Sequence, residues 1–135
     1  MPIAPSLSER EVNRLADIVR EARMATEFLG GRTADDLSGD AMRFHALRNA
    51  LRNVAEACIQ IDAGTRGQRF AALSPGHDIR PIRVIGNALR HDYNATTATL
   101  LVNDTLRIGP VLAARAEALL DAHRRLHGAD PGRLS

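Results

Sequence analysis

The sequence is poor in the residues that staple, stack or anchor. Cys58 is the only cysteine among 135 residues, so no internal disulfide can form, and a reducing compartment such as the cytoplasm is the expected setting. There is no tryptophan, and Phe28, Phe44, Phe70 and Tyr93 are the only aromatic residues, too few for a platform on which successive bases stack. Lysine is absent as well, and all 18 basic residues are arginine. Bidentate phosphate recognition favours arginine, but the codon preference of a GC-rich genome accounts for the bias more simply. The net charge of +2 is too small to attract nucleic acid through the bulk field, so any such contact must be argued locally. No stretch approaches the roughly 20 apolar residues of a membrane span. The opening Met1-Pro2-Ile3-Ala4-Pro5-Ser6 lacks the basic stretch and apolar run of a signal peptide, and neither a membrane anchor nor a leader is expected.

What is present reads as helix. Ser8-Glu9-Arg10-Glu11 is a capping-box pattern. Leu15, Ile18, Val19, Ala22, Ala25 and Phe28 or Leu29 recur at helical spacing before Gly30-Gly31 stops the run, which predicts a first helix over about 8 to 29. Phe44, Leu47, Leu51, Val54, Cys58 and Ile61 step by three and four without a break, a buried seam on a second helix from about 36–40 to 62. A short helical turn is expected near Gln68 to Leu73. Ile82, Ile85 and Leu89 mark one face of a third helix over about 78 to 90. The last helical region begins near Thr96 or Thr97, carries Leu100, Leu101, Leu112, Leu119 and Leu126, and is expected to break or kink at Gly109-Pro110. Nothing alternates with period two. These elements predict an all-α, antiparallel four-helix bundle with a kinked or broken last helix, in a single domain over 1–127 followed by a flexible tail over 128–135.

The densest polar segment inside the apolar pattern is Arg83 to Tyr93. On a continuing helix Arg83, Asn87 and His91 share a face at i, i+4 and i+8, opposite Ile82, Ile85 and Leu89. From spacing alone, the plainer reading is a solvated helix end whose cations Arg90 and His91 suit the negative end of the dipole. Other candidates are weaker. His123 and His127 have metal-ligand spacing, but no carboxylate or cysteine pattern completes a set. Cys58 sits in the seam as a small core residue. Glu56 is expected to make an interhelical or dimer hydrogen bond. Asp92 either orients His91 or is exposed, and His45 and His77 read as solvated surface.

The order and spacing of Asn87, His91 and Tyr93 resemble the end of a motif of the HepT-like family in the HEPN superfamily: Arg-Asn, three residues, His, one residue, Tyr. Asp17-Ile18, Phe28-Leu29, Asp40, the run Ala46 to Leu51, Glu56-Ala57, Ile82 to Ile85 and Asn103-Asp104 also fall in the family's order, so the resemblance spans roughly residues 10 to 125. It implies a HEPN-like bundle and a homodimeric, metal-independent endoribonuclease without cofactor. This would be the toxin of a toxin–antitoxin pair, with RNA as substrate and a minimal nucleotidyltransferase as antitoxin. The motif His and Arg of both subunits would line one cleft. His91 would move protons between the 2′-hydroxyl and the leaving 5′-oxygen, Asn87 would orient the phosphate or the imidazole, and Tyr93 would accept AMP groups from the antitoxin, whose charge and bulk would block the cleft.

The position of the motif arginine, five residues before His91, holds Gly86. Arg90, adjacent to His91, is the preferred substitute. Arg83 is the other, although helical side chains lean toward the N-terminus and carry its guanidinium away from His91. Restoring arginine at 86 is expected to raise the rate unless two helices cross closely there. The alternatives to an enzyme are a catalytically silent HEPN binding module and a plain helical interaction protein.

Overall fold

The computed structural model describes residues 6–91 and 97–128, with His91 described by its backbone alone. Among the described residues six α-helices follow one another: α1 Glu9–Leu29, α2 Ala34–Ser38, α3 Ala41–Asp62, α4 Gln68–Leu73, α5 Ile79–His91 and α6 Ala98–His123, after which Arg124–Gly128 forms a π-helical turn. There is no strand among the described residues. The four long helices make the expected bundle, and α2 and α4 are embellishments on its connections.

Each start has a chemical reason. The Ser8 hydroxyl accepts from the Glu11 amide at 3.1 Å while the Glu11 carboxylate accepts from the Ser8 amide at 2.9 Å, the reciprocal cap that satisfies two orphan donors. Thr33 and Asp36 repeat it at α2. Asp40 caps α3 through the Arg43 amide, and Thr97 caps α6 through that of Leu100. The region read as the start of the second helix is thus divided, because Thr33 and Asp40 each nucleate a helix of their own. Gly30, with φ of +49°, ends α1 in the left-handed region, where an L side chain is strained.

α1 packs against both α3 and α6, and α3 also packs against α5. One core cluster joins Leu15, Ile18, Val54, Cys58, Ile82, Leu112 and Leu119. The other joins Leu29, Leu47, Leu51, Ile85, Leu89 and Leu101.

α6 runs unbroken through Gly109 and Pro110, so of the break or kink expected there the break does not form. A proline inside a helix removes one hydrogen bond and crowds the carbonyl four residues back, at about 3 kcal/mol. Burial of Leu112, Leu119 and Leu120 beyond it, about 1.5–3 kcal/mol for each leucine, outweighs that. Gly109 itself is buried, and a Cβ there would make only ordinary contact with Thr26 and Thr105. The segment from residue 129 onward lies outside the described residues.

Candidate functional site

The polar segment singled out in the sequence sits on α5 where this helix crosses α3. Ile82, Ile85, Gly86 and Leu89 face inward and are buried, while Val84, Asn87, Ala88 and Arg90 are exposed. The crossing is close. A Cβ built on Gly86 would stand 3.3 Å from the Ala55 Cβ and 3.3 Å from the Ile59 Cδ1. The position that holds arginine in the motif thus points into the helix interface in this chain, and glycine lets the two backbones approach.

The two arginines considered as substitutes have different surroundings. Arg83 donates to Asp62 at 3.2 Å, and its side chain is directed back along α5 toward the end of α3, away from the last turn. The Asp62 side chain has no solvent exposure. It also accepts from the Thr65 hydroxyl at 2.9 Å, the Gly67 amide at 2.9 Å and the Phe70 amide at 3.1 Å. Burial alone would raise the Asp62 carboxyl, but the Phe70 and Gly67 amides, the Thr65 hydroxyl and Arg83 together hold it below the usual carboxylate range. Arg83 is therefore engaged in tying α5 to the α3–α4 turn.

Arg90 turns the other way. One guanidinium nitrogen donates to the Asn87 side-chain oxygen at 2.9 Å, and another lies 3.1 Å from the Glu56 carboxylate on α3. Asn87, Arg90 and Glu56 thus form one surface cluster beside the last turn of α5, whose final residue is His91. Asp92 and Tyr93 lie outside the described residues. Glu56 bridges α3 and α5 through this ion pair, where the sequence predicts an interhelical or dimer hydrogen bond. A guanidinium carries five N–H donors, so these contacts leave Arg90 donors with which to meet a phosphate.

Two residues of α3 that bind α5 carry no signal in the sequence. Asp62 ends the apolar seam of α3, and its spacing to Thr65 and Gly67 signals a capped turn only once the fold is known. Arg48, on α3, is buried with 7 % exposure, and its guanidinium donates to the carbonyl of Leu89 in the last turn of α5. This contact is to a backbone atom 41 residues away, and no side-chain pattern records it.

The remaining candidates stay apart from the cluster. Cys58 has no exposure, and burial pushes its thiol up to about 12, which suits a packing residue and not a nucleophile. The rings of His123 and His127 lie 4.8 Å apart at the end of the bundle. His77 shares a 2.7 Å hydrogen bond with the Ser74 hydroxyl. Among the described residues no helix is long and apolar enough to cross a membrane.

The all-α bundle is HEPN-like. The profile of the family described as Ribonuclease HepT-like matches residues 18–119, and the chain belongs to that family. The match takes in α5, its polar cluster and most of α6. No curated protein and no solved structure matches the chain.

Proposed function

We propose that this protein is the toxin of a HEPN/nucleotidyltransferase toxin–antitoxin pair, a metal-independent endoribonuclease that works as a homodimer and is silenced by AMP attached to Tyr93. The observation that carries the reading is the Asn87–Arg90–Glu56 cluster. In it an exposed guanidinium, held by an amide and a carboxylate, belongs to the residue that precedes His91 in sequence, and this supports the reading. His91 takes the proton of a ribose 2′-hydroxyl, the 2′-oxygen attacks phosphorus, and the bond to the 5′-oxygen breaks as that oxygen receives the proton that His91 took up. Arg90 neutralises the charge that grows on the phosphorane, and Asn87 orients the phosphate. The products are a 2′,3′-cyclic phosphate and a free 5′-hydroxyl.

The test is incubation of the purified protein with single-stranded RNA in excess EDTA. Fragments with 2′,3′-cyclic phosphate ends are expected, and none from His91→Ala. Light scattering at micromolar concentration should give twice the chain mass, and a monomer there would remove the shared cleft. Intact RNA would favour the second reading, a catalytically silent binding module. One observation speaks for it: position 86 is closed by the α5–α3 crossing, and both substitute arginines are already paired with carboxylates.

A further inference from the structure

The first question at this site is what holds the last turn of α5 in place. The final four carbonyls of a helix have no partner within it, and that of Leu89 is among them, since α5 ends at His91. Leu89 is buried in the cluster with Leu47, Leu51 and Leu101, where a carbonyl facing apolar neighbours needs a donor. Many helices end on a glycine that lets the chain cap itself. Here a buried guanidinium from another helix does the work.

We propose that Arg48 is the positioning residue of the cleavage site: from α3 it donates to the Leu89 carbonyl and thereby fixes the turn on which His91 is carried. This inference rests on His91 being the proton-transfer residue. Arg48 is too buried to meet a nucleic acid, so its action passes through α5. Three features support the assignment. The contact joins residues 41 apart in sequence, so it locks α5 to α3 and not merely to itself. It falls two residues before His91, where loss of one turn of helix would move the imidazole relative to Arg90 and Asn87. Its positive charge lies at the negative end of the α5 dipole, where a cation is favoured.

The test uses the full chain with Arg48→Met, which keeps an apolar stem, and Arg48→Lys, which restores a donor. A third variant, Arg69→Met, removes another partly buried arginine far from α5's last turn. Arg48→Met is expected to lower kcat about 10- to 100-fold, as small misplacements of a reacting group do, with KM within about twofold. Arg48→Lys should recover part of the loss, and Arg69→Met should lower stability without changing either constant. The second measurement is independent of cleavage: the His91 imidazole resonances should shift in Arg48→Met while those of His77 and His123 stay in place. Superimposable His91 resonances in Arg48→Met and wild type would overturn the inference, as would a kinetic loss no larger than that of Arg69→Met. If wild type leaves RNA intact while the His91 resonances still move, the nuclease reading falls and the positioning role stands.

Discussion

A Cβ added at Gly86 would stand 3.3 Å from the Cβ of Ala55, and this contact limits what position 86 can hold. The Ile59 Cδ1 at the same distance is the end of a side chain and can swing aside. The Ala55 Cβ is fixed to the backbone of α3 and cannot. The motif arginine, if restored, would start inside this crossing and not at the cluster of Asn87 and Arg90.

The first prediction reverses what the motif alone suggests. Gly86→Arg should lower the melting midpoint by overpacking, about 1–3 kcal/mol, which exceeds the helix-propensity gain of up to about 1 kcal/mol. It should bring no increase in RNA cleavage. Adding Ala55→Gly should return part of the lost stability, because it opens the space the new Cβ needs. A circular-dichroism melt decides the matter, and an unchanged or raised midpoint in the single variant would show that α5 parts from α3 more easily than the packing implies.

A second prediction concerns acid. Arg69 donates to Glu11 at 2.6 and 2.8 Å. Chiefly through these bonds, against the opposing effect of burial, the Glu11 carboxyl is lowered from 4.5 to about 2. A carboxyl lowered on folding contributes stability that is fully present above its unfolded value and is lost as pH falls through the folded one. Stability should therefore decline between about pH 4.5 and pH 2, with roughly 2–3 kcal/mol assignable to this pair. Glu11→Gln should be less stable than wild type at pH 7, and the gap should close as the pH approaches 2. Urea titrations at several pH values measure it, and parallel curves would mean that the pair contributes nothing.

Most of the bundle was legible because its helices bury one face each. The three-and-four stepping of Leu47, Leu51, Val54, Cys58 and Ile61 needs no partner to be recognised, and Ser8 with Glu11 announces a start in four residues. Pro110 does not break α6 because the local rule is real but small beside the burial of Leu112 and Leu119, which depends on α1 and α3. The cluster was legible in part for a similar reason. Asn87, Arg90 and His91 are close in sequence, whereas Glu56, Asp62 and Arg48 reach α5 only through the packing of α3. That Gly86 is shielded follows from the angle at which two helices meet, which no single helix encodes.

If Tyr93 is the acceptor of AMP, incubation with the partner nucleotidyltransferase and ATP should add one or more AMP masses to wild type and none to Tyr93→Phe at that site. The substitution removes only the hydroxyl oxygen, so the melt should not change. The modified protein should also lose RNA cleavage, since added phosphate charge beside His91 repels a phosphate backbone. Equal labelling of both forms would place the acceptor elsewhere.

The last prediction separates the two arginines by stability and rate together. Arg83 is one of four donors to a wholly buried Asp62, so Arg83→Ala leaves a buried carboxylate short of a partner and should destabilise by about 1–3 kcal/mol. Cleavage per folded molecule should be unchanged, and Asp62→Asn should behave in the same way. Arg90 lies in a half-exposed pair with Glu56, its side chain 41 % exposed, and such pairs contribute about 0–1 kcal/mol. Arg90→Ala should therefore melt close to wild type while its kcat falls about 100- to 1000-fold, the loss typical of one preorganised donor to a charged transition state. Glu56→Gln tests the same guanidinium from the other side. It should lower cleavage with little change in the melt, because the carboxylate that helps hold Arg90 in place has been neutralised. Loss of cleavage in Arg83→Ala with an intact melt would transfer the role to Arg83. Cleavage at the wild-type rate in both alanine variants would show that neither guanidinium serves the reaction and that another cation replaces the motif arginine.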